Sequence, residues 1–267
     1  MGEMLRPVSG EDHRGYRKYR IKGIDRDIIA RKGGPTKQQI KESDSYQVLR
    51  KNQNEFGAAS KLAKSIRNSF SSEVAKLCGS YVSGKLTALV RNTIKKSEGE
   101  KGKRPVLISG NKADLIGFDF DSGKKFEEVF RARYHLKPGS QFGHFIFHCS
   151  TFIPEESIIH PKGATHFKLY NHVVGLSDMK YQESSESYDY LESNSNGCHA
   201  TETSELLPIT RLNLEPFYFS LSLNGVCQKQ KEHLSLAVLM GIQFYQFESG
   251  KYKECKEGNA ISIVQMV

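Results

Sequence analysis

Residues 235–248 read Ser-Leu-Ala-Val-Leu-Met-Gly-Ile-Gln-Phe-Tyr-Gln-Phe-Glu, and residues 165–175 read Thr-His-Phe-Lys-Leu-Tyr-Asn-His-Val-Val-Gly. They belong to a series of short runs after Pro105 that are rich in β-branched and aromatic residues and are separated by turn clusters. No helix-length pattern alternates with them, so the series predicts an antiparallel β-sandwich rather than a βαβ fold. The other runs are residues 106–109, 115–120, 126–134, 142–151, 181–190, 217–226 and 260–265. Residues 188–205, rich in Ser, Asn, Glu and Thr, are predicted to form a long mobile loop.

The chain ahead of these runs has the periodicity of helices. Leu49, Phe56, Ala63 and Phe70 recur every seven residues, which predicts one amphipathic helix, and residues 74–94 repeat with helical spacing in a second. Two such helices cannot bury their apolar stripes alone, so we expect them to pack on the strand-rich part. The sequence therefore predicts an α+β fold in which a basic extended arm and a two-helix segment precede a C-terminal antiparallel β-sandwich.

Composition divides the chain in the same way. The net charge is +9, and it separates into +13 for residues 1–104 and −4 for residues 105–267. The front stretch holds 6 of the 27 Phe and Tyr residues. We predict an arm at residues 1–36, a helical segment at 37–104 and a sandwich domain at 105–267. Because the charge is segregated, we expect the front to make contacts and the remainder to supply rigidity.

Residues 14–22 place cations beside tyrosines without a helical stripe, which predicts a strand-like arm. Its cations could neutralise phosphates while its tyrosines stack on bases. Alternatively, Lys and Arg on an exposed edge strand serve to prevent wrong pairing. The predicted partner-binding or nucleic-acid-binding residues are Arg14, Tyr16, Arg17, Lys18, Tyr19, Arg20, Lys22, Arg31 and Lys32.

The histidines suggest a metal site, but their spacing argues against one. His144 and His148 share one face of a predicted strand, and His166 and His172 share one face of another. His144 and His148 lie about 13 Å apart along their strand, and His166 and His172 lie about 20 Å apart along theirs. In each pair the two rings are too far apart to hold one ion. We therefore expect structural histidines and no metal.

Other polar groups give no catalytic signature. Asp119 and Asp121 lack the further oxygens of a calcium loop, and Glu155 and Glu156 point apart on a turn that Pro154 initiates. The chain has no Gly-x-Ser-x-Gly elbow, no phosphate-cradling glycine loop and no Cys-x-x-Cys. We predict no catalytic residue and no cofactor, and five reduced thiols at Cys78, Cys149, Cys198, Cys227 and Cys255.

Several stretches carry a family resemblance. Residues 34–40 (Gly-Pro-Thr-Lys-Gln-Gln-Ile), 54–61 (Asn-Glu-Phe-Gly-Ala-Ala-Ser-Lys), 161–167 (Pro-Lys-Gly-Ala-Thr-His-Phe) and 259–264 (Asn-Ala-Ile-Ser-Ile-Val) resemble an uncharacterised protein family of Bacteroidota. The resemblance runs from about Gly15 to the end of the chain. It implies the architecture of basic arm, helical pair and strand-rich domain, and it implies no activity.

These observations favour a non-enzymatic structural or binding protein. We expect the sandwich to act as a rigid body and the arm to engage a protein partner or a neighbouring copy, giving a homo-oligomer or filament. The alternative is nucleic-acid binding without sequence specificity by the basic front third. No run reaches the ~18 apolar residues of a membrane span and residues 1–10 lack a secretory signal, so we expect a cytoplasmic protein without a membrane partner.

Overall fold

The computed structural model describes residues 15–19, 26–31, 34–121, 124–223 and 230–267. The chain forms two compact units, residues 1–50 and residues 51–267, called here the N-terminal unit and the body. Among the described residues, no helix is long and apolar enough to cross a membrane.

In the N-terminal unit, strand β1 (Tyr16–Tyr19) pairs antiparallel with β2 (Ile28–Arg31). We call this pair the ribbon. Helix α1 (Lys37–Glu42) follows, and Thr36 closes a capping box at its start. The box forms because the Thr36 hydroxyl accepts from the Gln39 N–H while the Gln39 side chain accepts from the Thr36 N–H. A cap at Thr36 is what the sequence predicts.

The first predicted helix is confirmed as α2 (Gln47–Asn68), and its buried stripe includes Leu62, Ala63 and Ile66. The second predicted helix is two helices, α3 (Ser72–Lys76) and α4 (Val82–Lys96). The break occurs where the Gly79 N–H donates to the carbonyl of Phe120, 2.8 Å away, instead of to a helical carbonyl. Two short helices, α5 (Phe126–Val129) and α6 (Pro154–Ser157), lie later in the chain.

The centre of the body is a six-stranded sheet built on two long antiparallel strands. Strand β5 (His166–Ser177) pairs with β11 (Leu234–Glu248) over twelve positions. The outer edge of β5 pairs with two short strands, and that of β11 pairs with two more. These four strands are β8 (His199–Thr203), β9 (Leu207–Pro208), β12 (Lys251–Glu254) and β13 (Ala260–Met266).

A second sheet has the order β10-β4-β3, where β3 is Tyr134–Pro138, β4 is His144–Cys149 and β10 is Phe217–Ser222. A separate hairpin joins β6 (Met179–Gln182) to β7 (Ser187–Tyr190). The fold is therefore α+β, with an N-terminal helix pair and antiparallel, sandwich-like sheets, as predicted.

Both faces of the central sheet are covered. Ala237 and Leu239 of β11 pack in one core cluster with the helical residues Leu62 and Ile66. Val238, one position away, packs with residues of the second sheet in another cluster. Because successive side chains of a strand point to opposite faces, the helices cover one face and the second sheet covers the other.

Two glycines allow this close packing. A Cβ at Gly241 would lie 2.9 Å from a methyl carbon of Leu77, and one at Gly175 would lie 2.7 Å from Cys198 Sγ. Cys198 is disulfide-bonded, so the prediction of a reduced thiol is wrong there. Cys78, Cys149 and Cys255 are free, as predicted, and burial raises the pKa of the Cys78 and Cys149 thiols to about 12.

Several predicted strands are wrong. Residues 106–109 form only an isolated bridge at Val106, and residues 115–120 form only one at Asp119. Residues 126–134 contain helix α5, because the Glu128 carboxylate accepts from the Lys125 N–H at 3.3 Å and starts a helical turn.

The predicted loop at residues 188–205 is also wrong, since this stretch contains most of β7 and all of β8. Strand β8 is ordered by pairing with residues 170–174 of β5. The buried Tyr188 is held by its hydroxyl, which donates to the Arg104 carbonyl at 3.0 Å.

The charge segregation of the sequence is partly cancelled in the body. Lys61, Lys76, Lys96 and Lys103 form ion pairs with acids that come from the part of the chain after residue 104. Arg104 pairs with the buried carboxylate of Glu55, at 2.7 Å. The basic front third therefore presents less free charge than its sequence suggests.

Candidate functional site

The predicted binding residues are concentrated in the ribbon. Arg14, Arg20, Lys22 and Lys32 lie outside the described residues. Tyr16, Arg17, Lys18 and Tyr19 make up β1, and Arg31 ends β2.

The arm is a paired ribbon rather than a single extended segment. Tyr16 lies opposite Arg31, and Lys18 lies opposite Ile29. The Lys18 ammonium also forms an ion pair with Asp27, at 2.6 Å. One edge of β1 is thus occupied by β2, which leaves one edge of each strand for a further strand.

The described residues of the N-terminal unit form no buried core. None of its residues whose burial is described is buried. The side chains of Ile29, Val48 and Leu49 are 44%, 60% and 38% exposed. An isolated two-stranded hairpin is at best marginally stable in water, so these apolar groups are available for contact with another surface.

His172 has a structural role, as predicted for the histidines. It is fully buried, with Nε2 2.8 Å from Ser69 Oγ and Nδ1 2.7 Å from Thr201 Oγ1. Burial, together with the nearby His199, lowers the pKa of His172 to about 3. Both ring nitrogens are occupied, and the described residues contain no group of three or more side chains that could hold a metal ion.

The two acidic pairs also have local partners. The Asp119 carboxylate accepts from the Asp121 N–H at 2.8 Å, which is the predicted turn. Glu155 lies in α6, which Pro154 opens, and it pairs with Arg211 at 3.0 Å. Neither pair forms a cleft of facing carboxylates.

Sequence reasoning missed a Ser–Asp–His cluster. The fully buried Asp178 carboxylate accepts from the N–H of Ser109, at 2.9 Å, and from its hydroxyl, while His233 Nδ1 lies 3.4 Å away. Ser109 donates to Asp178 and not to His233, so the cluster lacks the serine–histidine contact that activates a nucleophile. Its members are far apart in sequence, and no local signal reveals it.

A small groove lies between α2 and the β6–β7 hairpin. It has a volume of about 270 Å³, and Gln53, Asn54, Gly57 and Lys61 line its helical side. The Lys61 ammonium donates to the carbonyl of Tyr188 at 2.7 Å and so occupies one main-chain acceptor of β7. The groove is smaller than the ~300–1,000 Å³ typical of sites for drug-sized ligands.

The outward side of the second sheet is exposed to solvent. Buried and exposed side chains alternate along β4: Phe145, Phe147 and Cys149 point inward, while Ile146 and His148 point outward. Register places His135 and Tyr218 on either side of His148. We call this surface the open face and define it by Arg133, His135, Lys137, Ile146, His148 and Tyr218.

The sequence does not predict this row of His135, His148 and Tyr218. The strand predicted at residues 126–134 ends before His135. His144 does share the outward side with His148, as predicted. Its ring lies directly against Gly139 and fills the space that a Cβ would need there. The histidine that lies opposite His148 across the strands is His135 and not His144.

Comparison with known proteins adds no relative to this description. No protein-family model matches the chain, and neither a curated protein nor a solved structure matches it. The resemblance to a Bacteroidota family stays a prediction, and function has to be argued from the residues themselves.

Proposed function

We propose that the chain is a non-enzymatic structural or binding protein that uses its N-terminal unit to engage another protein, in the first place a second copy of itself. The body supplies a rigid support, because both faces of its central sheet are buried. The observation that carries the proposal is the exposed apolar surface of a unit whose described residues include no buried side chain.

The ribbon is suited to this role for two reasons. Among the described residues its strands pair only with each other, and main-chain groups on a free strand edge can add to the sheet of another molecule. Ile29 on β2 and Val48 at the start of α2 supply apolar area that a partner would remove from water. If the ribbon of one copy binds the body of the next, the contact is heterologous and produces rings or filaments.

Light scattering coupled to size exclusion tests the proposal. We expect the full chain to form oligomers, and a chain that starts at Pro35 to be monomeric because it lacks the ribbon. Ile29→Asp should raise the concentration for half-dissociation at least about tenfold, since a buried carboxylate costs several kcal/mol.

Ile159→Asp is the matched control, because Ile159 is 40% exposed but belongs to the body. It should leave assembly unchanged. Monomers from both the full chain and the shortened chain would refute self-assembly.

Nucleic-acid binding by the basic front third is the alternative, and its support is the charge of +13 on residues 1–104. The ion pairs of Lys61, Lys76, Lys96 and Lys103 reduce that charge. Retention of a random duplex at low salt, with steep loss at higher salt, would support this alternative.

A further inference from the structure

We infer that the open face of the second sheet binds single-stranded nucleic acid. This inference goes beyond the proposed function, because it concerns the body and not the N-terminal unit.

The first argument is charge. Strands β3, β4 and β10 together contain no Asp or Glu. Lys137 lies on the outward side of β3 and is exposed, and Arg133 directly precedes that strand. The Arg133 carbonyl accepts from the Ser150 N–H at 3.2 Å, so the pairing continues and its exposed side chain lies on the same side. Arg133 and Lys137 are permanent cations, and no strand of this sheet carries an acidic side chain beside them. The surface therefore favours a polyanion.

The second argument is the row of rings across the sheet. Tyr218 lies opposite His148, and His148 lies opposite His135, so three ring side chains cross three adjacent strands. Neighbouring strands are about 4.8 Å apart, and the row therefore spans about 10 Å. Tyr218 is 76% exposed, a large fraction for a tyrosine in the middle of a strand.

Rings and cations together indicate which class of molecule binds the open face. Exposed rings on a sheet stack on unpaired bases, while cations beside them neutralise the phosphates that join those bases. A duplex keeps its bases stacked on one another and cannot use the rings. A protein interface requires a larger apolar centre, and Ile146, 36% exposed, is the only Ile, Leu, Val or Met among the exposed residues of β3, β4 and β10.

Fluorescence anisotropy with a labelled twelve-nucleotide oligo-dT tests the inference on the full chain. We expect Tyr218→Ala to weaken binding about 5- to 100-fold through loss of one stacked base. Raising salt from 50 to 200 mM should weaken wild-type binding about sevenfold if two phosphates are neutralised. In the Arg133→Gln/Lys137→Gln double variant that salt dependence should nearly vanish.

Tyr81→Ala is the matched control, because Tyr81 is 75% exposed but lies at the start of α4. It should bind oligo-dT like the wild type. Thermal melting of each variant verifies that the fold is kept, which we expect because these side chains are exposed.

The inference is overturned by absence of binding at 50 mM salt, by equal binding of Tyr218→Ala and wild type, or by equal affinity for a duplex of the same length. It is also overturned if open-face substitutions change self-association and leave oligo-dT binding unchanged. Ile29→Asp should not affect oligo-dT binding, so failure here and failure of the proposed assembly can be told apart.

Discussion

The two larger sheets of the body differ in how much of their surface other elements cover. In β11 the first eleven residues are all buried, whereas burial alternates along β4. The central sheet is enclosed between helices and a second sheet, while the second sheet keeps one side in water. Phe244 of the central sheet is fully buried, whereas Phe247 and Tyr252 at its β11–β12 end are exposed. In the second sheet Phe145 and Phe147 are buried and Tyr218 is exposed.

The largest effect is expected where the central sheet meets the helices. Leu239→Ala removes a fully buried side chain and should lower the free energy of unfolding by about 4 kcal/mol, because the enclosed site cannot collapse around the cavity. Urea denaturation followed by circular dichroism measures this change. A loss below about 1 kcal/mol would show that the sheet is not enclosed on that side.

A slightly smaller effect is expected in the layer that covers the central sheet. Burial alone raises the pKa of Glu55, but the hydrogen bonds from Arg104 and the Gly102 N–H, with the charge of Arg104, outweigh it and hold that pKa below 4.5. Glu55→Gln should cost about 3 kcal/mol, because Arg104 loses its partner carboxylate.

The sign of the pH dependence follows from the lowered pKa of Glu55. The stabilisation is present above about pH 4.5 and is lost as pH falls through the folded-state pKa. Acid denaturation curves of the wild type and of Glu55→Gln should therefore converge at low pH. Parallel curves at all pH values would contradict the assignment.

His172 should make the central sheet sensitive to milder acid. Its folded-state pKa of about 3 lies below the ordinary 6.5, so the unfolded chain takes up a proton first and stability falls as pH decreases from 6.5 towards 3. Between pH 7 and pH 5 this amounts to about 2 kcal/mol. We expect His172→Gln to flatten the dependence of the melting temperature on pH, and an unchanged slope would contradict this role of His172.

The smallest effect is expected on the open face. Tyr218→Ala should change the free energy of unfolding by less than about 0.5 kcal/mol, because its side chain is 76% exposed and so is largely in water already. Urea midpoints compared with that of Leu239→Ala provide the measurement. A loss of 2 kcal/mol or more would mean that the second sheet is also covered on its outward side.

The sequence predicts most reliably the elements whose pattern is long. The seven-residue repeat of α2 and the apolar run of β11 each span enough residues for one period to dominate. Helix α5 was missed because Phe130, Ala132 and Tyr134 alternate as in a strand, although Phe126, Val129 and Phe130 have the i, i+3, i+4 spacing of a helix. Strand β8 was missed because its order comes from pairing with β5, not from local composition.

The candidate surfaces were harder to predict for the same reason. The cations of the arm are visible in the sequence, but their pairing into a ribbon depends on β2, which begins nine residues after the end of β1. The row of Tyr218, His148 and His135 exists only through the register of three strands that are distant in the chain. Spacing along one strand can show which side chains share a face, but not which side chains face them across the sheet.

The contact between the Lys61 ammonium and the Tyr188 carbonyl has a consequence for where new strands can add. A charged amine that already occupies a main-chain acceptor removes one hydrogen bond that an incoming strand would need, and its ion pair with Asp189 keeps it in place. A foreign strand therefore gains less at the hairpin of the body than at a ribbon edge that β1 and β2 leave unpaired. If the chain assembles as proposed, this side chain favours strand addition at the ribbon over strand addition at the hairpin.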